Sequence, residues 1–236
     1  MSTYQFSHSK ALNNIPVEKL NAFIASIPQG NNHHLKIGAV NRYYESNIPV
    51  EYWRLRMDKH FQGNEILKGV YDDFTKNAKE SYDKGTTFCL AGTHGAGKTM
   101  TITCILKKAV EKDFTALYTT ISDIVSVLTT APPEERYMAR RELLTVDFLA
   151  IDEFDPRFIG SDSAADLYAR TLEGIFRSRV QNHLSTMLAS NSPNPKGIFT
   201  GALKESLDSL FSGYVDIIPI YGKDHRKVLE EIRNGH

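Results

Sequence analysis

Between Thr86 and Thr101 the chain reads TTFCLAGTHGAGKTMT, an apolar run that breaks into glycines and ends on a lysine and threonines. The spacing of Gly92, Gly97, Lys98 and Thr99 fits G-x-x-x-x-G-K-[ST], a phosphate-binding loop. Few stretches constrain a fold more. A strand must deliver the loop, glycines must let backbone N–H groups turn inward on phosphate oxygens, and the following helix must add the positive end of its dipole. Phe88, Cys89, Leu90 and Ala91 supply the strand. Ile102, Ile105, Leu106, Ala109 and Val110 recur at helical spacing behind the loop. Lys98 is then expected to reach the β- and γ-phosphates of a nucleotide and the Thr99 hydroxyl to hold Mg²⁺. The residues expected to line the nucleotide are Gly92, Thr93, His94, Gly95, Ala96, Gly97, Lys98, Thr99 and Met100.

The flanking sequence alternates between the two periodicities. Asn64 caps a predicted helix whose stripe runs Ile66, Leu67, Val70, Tyr71, Phe74, Ala78 and Tyr82 to Lys84-Gly85. After the loop helix, Phe114–Thr119 reads as a strand, Ile121–Leu128 as a helix stopped by Pro132-Pro133, and Glu134–Arg141 as a charged helix. Val146–Glu153 is a buried strand ending in two acids. Downstream of a phosphate loop this is the Walker B pattern: Asp152 binds Mg²⁺ and Glu153 orients the attacking water. Asp155 is a third acid nearby, read as structural. Ser161 or Asp162 caps a helix with Leu172, Ile175, Phe176 and Val180 among its buried residues. In it Arg170 and Arg177 follow Asp166 and Glu173 by four residues, so surface ion pairs account for them, whereas Arg179 has no such partner. Ser185–Asn191 is another strand, and the amide of Asn191 at its end is placed to sense a γ-phosphate. A helix over Ala202–Phe211 and a strand over Tyr214–Tyr221 complete the series, with Pro219 confining that strand to an edge or a bulge. Strands alternating with helices predict an α/β fold, a parallel sheet covered on both faces.

Bulk properties bound the rest. With 28 basic and 28 acidic residues the chain has no global basic excess, so any nucleic-acid contact must come from a local patch or several subunits. Cys89 and Cys104 fall in the loop strand and the loop helix and read as core thiols in a reducing compartment, not as a zinc site. No run of about 18 apolar residues occurs, so a membrane span is not expected and a cytoplasmic location is. Residues 1–46 are read as an N-terminal appendage and linker, with Val17, Leu20, Ile24 and Ile27 forming an amphipathic stripe, and residues 47–236 as the ATPase domain.

Taken together, the loop, the Asp152-Glu153 strand end, Ser190-Asn191 and the terminal Gly222-Lys223-Asp224-His225-Arg226 resemble the AAA+ ATPases, within them the DnaC/DnaI/IstB group of helicase loaders and transposition helpers. The resemblance covers roughly residues 47–230, including the Asn47-Ile48-Pro49 entry. It implies a P-loop AAA+ core without a large C-terminal lid, with Lys98 and Thr99 as the Walker A pair, Asn191 as sensor 1 and Arg226 as sensor 2. It implies ATP and Mg²⁺ as cofactors and ATP hydrolysis, with self-association through AAA+ interfaces. It further implies a DnaB-like replicative helicase and single-stranded DNA as partners in replication initiation, the N-terminal stripe gripping the helicase. Thr119-Thr120-Ile121-Ser122 and Arg136, Arg140 and Arg141 are the residues considered for a DNA-facing role. One element departs: Ser209 stands where the family carries an arginine finger, which leaves Lys204, Arg177, Arg179 or a partner's cation to substitute, or hydrolysis slow. A transposition helper binding duplex DNA and a slow-turnover assembly scaffold are the alternatives. A small-molecule kinase is disfavoured because a water-activating Glu153 beside Asp152 would waste ATP.

Overall fold

The computed structural model describes residues 40–155, 162–198 and 204–225. The predicted N-terminal helix, Ser161 and Arg226 lie outside the described residues. Five strands, β1 (Thr87–Gly92), β2 (Ala116–Thr120), β3 (Phe148–Asp152), β4 (Ser185–Ser190) and β5 (Asp216–Ile220), form one parallel sheet in the order β2-β3-β4-β1-β5. The first four are buried along their whole length, as expected for parallel strands covered on both faces. β5 lies at the edge, where the missing N–H of Pro219 is tolerated.

Alternation along the strands separates two cores. Phe88, Leu90, Tyr118, Phe148, Ala150 and Met187 face the helices that precede and follow the loop: α1 (Val40–Glu45), α3 (Glu65–Lys76) and α5 (Lys98–Glu111). Cys89, Leu117, Leu149, Ile151 and Leu188 face the other layer: α6 (Ile121–Thr130), α7 (Pro133–Thr145), α8 (Asp162–Gln181) and α9 (Lys204–Tyr214). Both cysteines are buried in these cores, and burial pushes the Cys89 thiol up to about 12, so neither is a reactive thiolate.

Several boundaries differ from the sequence reading. The single helix expected from Asn64 to Tyr82 is two, α3 and α4 (Ala78–Lys84), because Asn77 between them leaves helical geometry at φ −111° and ψ 36°. The cap itself is as expected: Asn64 Oδ1 accepts from the Ile66 N–H at 2.8 Å. α2 (Met57–His60) and the preceding turn were not anticipated as helical. They are held to α5 by Lys107, whose buried Nζ donates to the carbonyls of Tyr52 at 2.8 Å, Trp53 at 3.2 Å and Leu55. Val40 and Tyr43, ahead of residue 47, belong to the same buried cluster as Trp53, Leu67 and Ile102.

Arg179 is the buried polar centre of the second layer. It is 0% exposed and donates from Nε to Thr186 Oγ1 at 2.9 Å, and from the guanidinium NH₂ groups to the carbonyls of Leu143, Val146, Asp147 and Ser185 at 2.7–3.5 Å. The Leu143 and Val146 carbonyls are among those a helix end leaves unsatisfied, so Arg179 caps α7 and ties it to the starts of β3 and β4. Burial lowers its pKa to about 9, which leaves it cationic at neutral pH.

On α7 the acids are not all solvated. Glu142 lines a cavity of about 370 Å³ with Arg42, Asp113 and Thr115, and burial raises its carboxyl to about 7 from 4.5. Between those values the folded chain retains a proton that the unfolded chain gives up, so stability falls as pH rises through the window and the full penalty is present above it. Glu142→Gln is expected to raise stability by about 2 kcal/mol at pH 8 and by much less at pH 5. Thermal unfolding at the two pH values checks this; equal effects would count against it.

Candidate nucleotide site

The sheet order assembles the site. β4 is inserted between β1 and β3, so the C-terminal ends of β3, β4 and β1 stand side by side in that order. Asp152-Glu153, Ser190-Asn191 and the glycine loop therefore share one edge of the sheet. A crevice at the carboxyl ends of parallel strands is where ligands of open α/β sheets bind.

Register then chooses the faces. Asp152 is two residues beyond Ala150, and both point to the side covered by α5, the helix whose first turn carries Lys98 and Thr99. Asp152 is 7% exposed, and its Oδ2 accepts a hydrogen bond from the Tyr118 hydroxyl at 2.7 Å. Its Oδ1 accepts from the N–H of Glu153 at 2.8 Å. Tyr118 was not singled out in the sequence, where nothing but its place in a strand marks it. Burial beside Asp152 holds its hydroxyl well above its ordinary pKa, so it remains a donor. Glu153 leaves the strand in the left-handed region, at φ 52°, and is exposed, while the next N–H, of Phe154, donates to the Ala189 carbonyl of β4 at 2.9 Å. The kink thus turns Glu153 out of the strand while Phe154 stays pinned to β4. Asp155 is 2% exposed. Asn191, half-buried, directly follows β4.

The loop is shaped by its own backbone. Gly92 sits at φ 149°, and a Cβ there would stand 1.8 Å from the carbonyl oxygen of Ile220, so only glycine lets β5 pass this close. Gly95 has φ 70° and Gly97 φ 100°, positive values that favour glycine and let the chain turn tightly ahead of α5. Lys98, 5% exposed, donates from Nζ to the carbonyls of Gly92 at 3.1 Å and Thr93 at 2.6 Å. The segment after β5 runs along the loop: Thr93 N–H donates to Ile220 O at 3.1 Å, Thr93 Oγ1 to Gly222 O at 3.3 Å, and His225 N–H to Gly95 O at 3.0 Å. Asn64 Nδ2 fastens the same segment through Tyr221 O at 2.8 Å. Beside the loop a small cavity is lined by His60, Phe61, Gln62, Gly63, Gly97, Met100 and His225. It brings Met100 and His225 together with Phe61, which no motif marked.

Other expectations are corrected. Thr119, Thr120 and Ile121 are 0%, 4% and 0% exposed at the junction of β2 and α6, so they present no surface to DNA. Arg140 and Arg141 are exposed on α7. Arg179 cannot act as an arginine finger, since its donors are spent inside the fold. Arg177 bonds Glu173 Oε1 at 2.8 Å and Ser206 Oγ at 3.0 Å, linking α8 to α9. Lys204 and Ser209 are exposed on α9.

The donor set fits a nucleotide with Mg²⁺. The Thr99 hydroxyl and the Asp152 carboxylate are hard oxygen ligands, and Mg²⁺ takes few protein ligands beside phosphate and water. Among the described residues no cluster of three or more His, Cys, Asp or Glu offers a separate metal site. Among them no helix is long and apolar enough to cross a membrane.

No protein-family model matches the chain, and no curated protein matches it in sequence. Solved structures do match it. DnaI aligns with a TM-score of 0.59 at 17% identity, covering 76% of this chain and 94% of that one. The DnaC helicase loader aligns at 0.54 and 17%, covering 73% and 100%. The replication initiator DnaA bound to AMPPCP and single-stranded DNA aligns at 0.55 and 19%, covering 68% of this chain and 47% of that one. The likeness is in fold alone: the chain shares with these structures its α/β architecture, here a five-stranded parallel sheet covered by helices on both faces, and no large lid follows β5 among the described residues.

Proposed function

We propose that the chain is an ATP-binding AAA+ protein of replication initiation that works as a helicase loader of the DnaC/DnaI type. The observation that carries this reading is the convergence of Lys98, Thr99, Asp152 and Asn191 on one sheet edge, with β4 between the phosphate loop and the acidic strand. The loop N–H groups and Lys98 hold the phosphates. Thr99 and Asp152 hold Mg²⁺, which supplies charge neutralisation at the β- and γ-phosphates. Tyr118 orients Asp152, Glu153 polarises the attacking water, Asn191 contacts the γ-phosphate and Arg226 acts as sensor 2. ATP favours one arrangement of subunits that grips a DnaB-like helicase and single-stranded DNA, and hydrolysis releases it. Arg136, Arg140 and Arg141 are the cations offered to DNA, and residues 1–46 the helicase attachment.

Tyr118→Phe is expected to lower ATP turnover about tenfold through Mg²⁺ positioning while sparing the fold, as loss of an outer-sphere hydrogen bond typically does. Steady-state hydrolysis against Mg²⁺ concentration checks it, with the loss appearing as a higher Mg²⁺ requirement. The test of the whole reading is copurification with a replicative helicase in ATP, with hydrolysis measured with and without single-stranded DNA. No complex and no DNA effect would remove the loader function and leave ATP binding alone. Preference for duplex DNA with ATP-dependent filaments would favour a transposition helper instead. The burial of Arg179 and the pairing of Arg177 support a variant in which hydrolysis is slow until a partner supplies the missing cation.

A further inference from the structure

The segment that leaves β5 brings an acid onto the phosphate loop. A Cβ placed on Gly95 would stand 2.1 Å from Asp224 Oδ1, 2.2 Å from its Cγ and 2.6 Å from Oδ2, so the whole carboxylate group packs against the Cα of the loop's central glycine. The contact is held by backbone: His225 N–H donates to Gly95 O, and upstream Ile220 O and Gly222 O accept from Thr93. Asp224 is exposed, so it does not act as a core residue. Gly95, at φ 70°, lies in the glycine turn that the proposed function reads as the phosphate-binding loop.

We infer that Asp224 is an affinity-setting residue of the nucleotide site, an anion built beside the phosphate loop that repels bound polyphosphate and keeps nucleotide exchange fast. This rests on reading the loop as a nucleotide site. The geometry has two consequences. A carboxylate in contact with Gly95 lies close to any phosphate held by the loop, and like charges there oppose one another modestly, because Asp224 is exposed to solvent and screened by salt. Because the acid sits on the chain that runs into Arg226, nucleotide binding also works against the seating of that chain on the loop. Affinity and the position of the C-terminal segment are therefore coupled in both directions. Repulsion scales with ligand charge, so the triphosphate is penalised more than the diphosphate, and the monophosphate least.

The test is equilibrium titration of a fluorescent ATP analogue and of its ADP and AMP counterparts, with Mg²⁺, on the full chain and on Asp224→Asn. Asp216→Asn serves as control, since it removes the same charge from the exposed opposite end of β5. Asp224→Asn is expected to bind the triphosphate roughly threefold to tenfold more tightly at low salt, with a slower off-rate and a smaller gain for the diphosphate. The gain should shrink as salt rises. Asp216→Asn should leave affinity unchanged. Affinity unaltered or weakened in Asp224→Asn, or gains equal for all three nucleotides, would overturn the inference. No binding of any nucleotide by the parent chain would instead overturn the proposed function itself.

Discussion

Lys98→Ala is expected to weaken MgATP binding by about 100-fold or more and to bring hydrolysis to background, because no other lysine or arginine among the described loop residues 92–99 can meet the phosphates. The lysine is 5% exposed and anchored on the carbonyls of Gly92 and Thr93, so its ammonium is held within the loop and its reach is short. Losing those two bonds costs the fold only about 1–2 kcal/mol, since each is modest net of water. Binding should therefore collapse while circular dichroism stays near that of the parent and the unfolding midpoint falls by only about 2–8 °C. Lys98→Arg keeps the charge but not the compact point geometry and should recover little. Titration with a fluorescent ATP analogue decides it: binding within threefold of the parent in Lys98→Ala would mean that the loop is not the site.

Arg179→Met is expected to act in the opposite way, on stability first. The substitution leaves the Leu143, Val146 and Ser185 carbonyls without their buried donor. Each orphaned buried polar group costs about 1–3 kcal/mol, so a loss of about 4 kcal/mol is expected against a total stability of roughly 5–15 kcal/mol. Arg177→Ala, which removes an exposed pair with Glu173 and a bond to Ser206, should cost about 0.5 kcal/mol. Urea unfolding of the two variants side by side checks this. Similar losses would show that the buried network is not what holds α7 against β3 and β4. If Arg179→Met does not accumulate as folded protein, Arg179→Lys, with three donors in place of five, should give an intermediate loss.

The contrast between these arginines shows where a one-dimensional reading stops. Arg177 was legible because its partner lies four residues away on the same helix, a distance that helical geometry alone brings together. Arg179, two residues on, looked unpartnered and was available as a stand-in for a finger at Ser209. Its acceptors come from α7, β3 and β4, up to 36 residues away, and no local period points to them. Thr119 and Thr120 are a similar case. They were considered for a DNA-facing role, which needs an open surface, and β2 is indeed an edge strand. The turn after α1 nevertheless closes over that edge, with Ser46 O accepting from Tyr118 N–H and Asn47 Nδ2 donating to Tyr118 O. Tyr118 itself, a hydrophobic strand residue by pattern, is the group that orients Asp152.

By itself the sequence determined the local structure that depends on covalent spacing. The stretch from Gly92 to Thr99 turns sharply into a helix because Gly92, Gly95 and Gly97 take up positive φ values that other residues rarely adopt and the helix begins at Lys98. The apolar runs ending in Asp152 and Asn191 had to be buried strands, and Pro219 had to lie at an edge. Only the tertiary structure decided which strand ends meet. Strand order is set by pairing between segments dozens of residues apart, and each local pattern is compatible with many orders. The insertion of β4 between β1 and β3 set Asn191 between the loop and the acids. The register of β3 turned Asp152 toward α5, and the return of β5 along β1 laid Asp224 on Gly95.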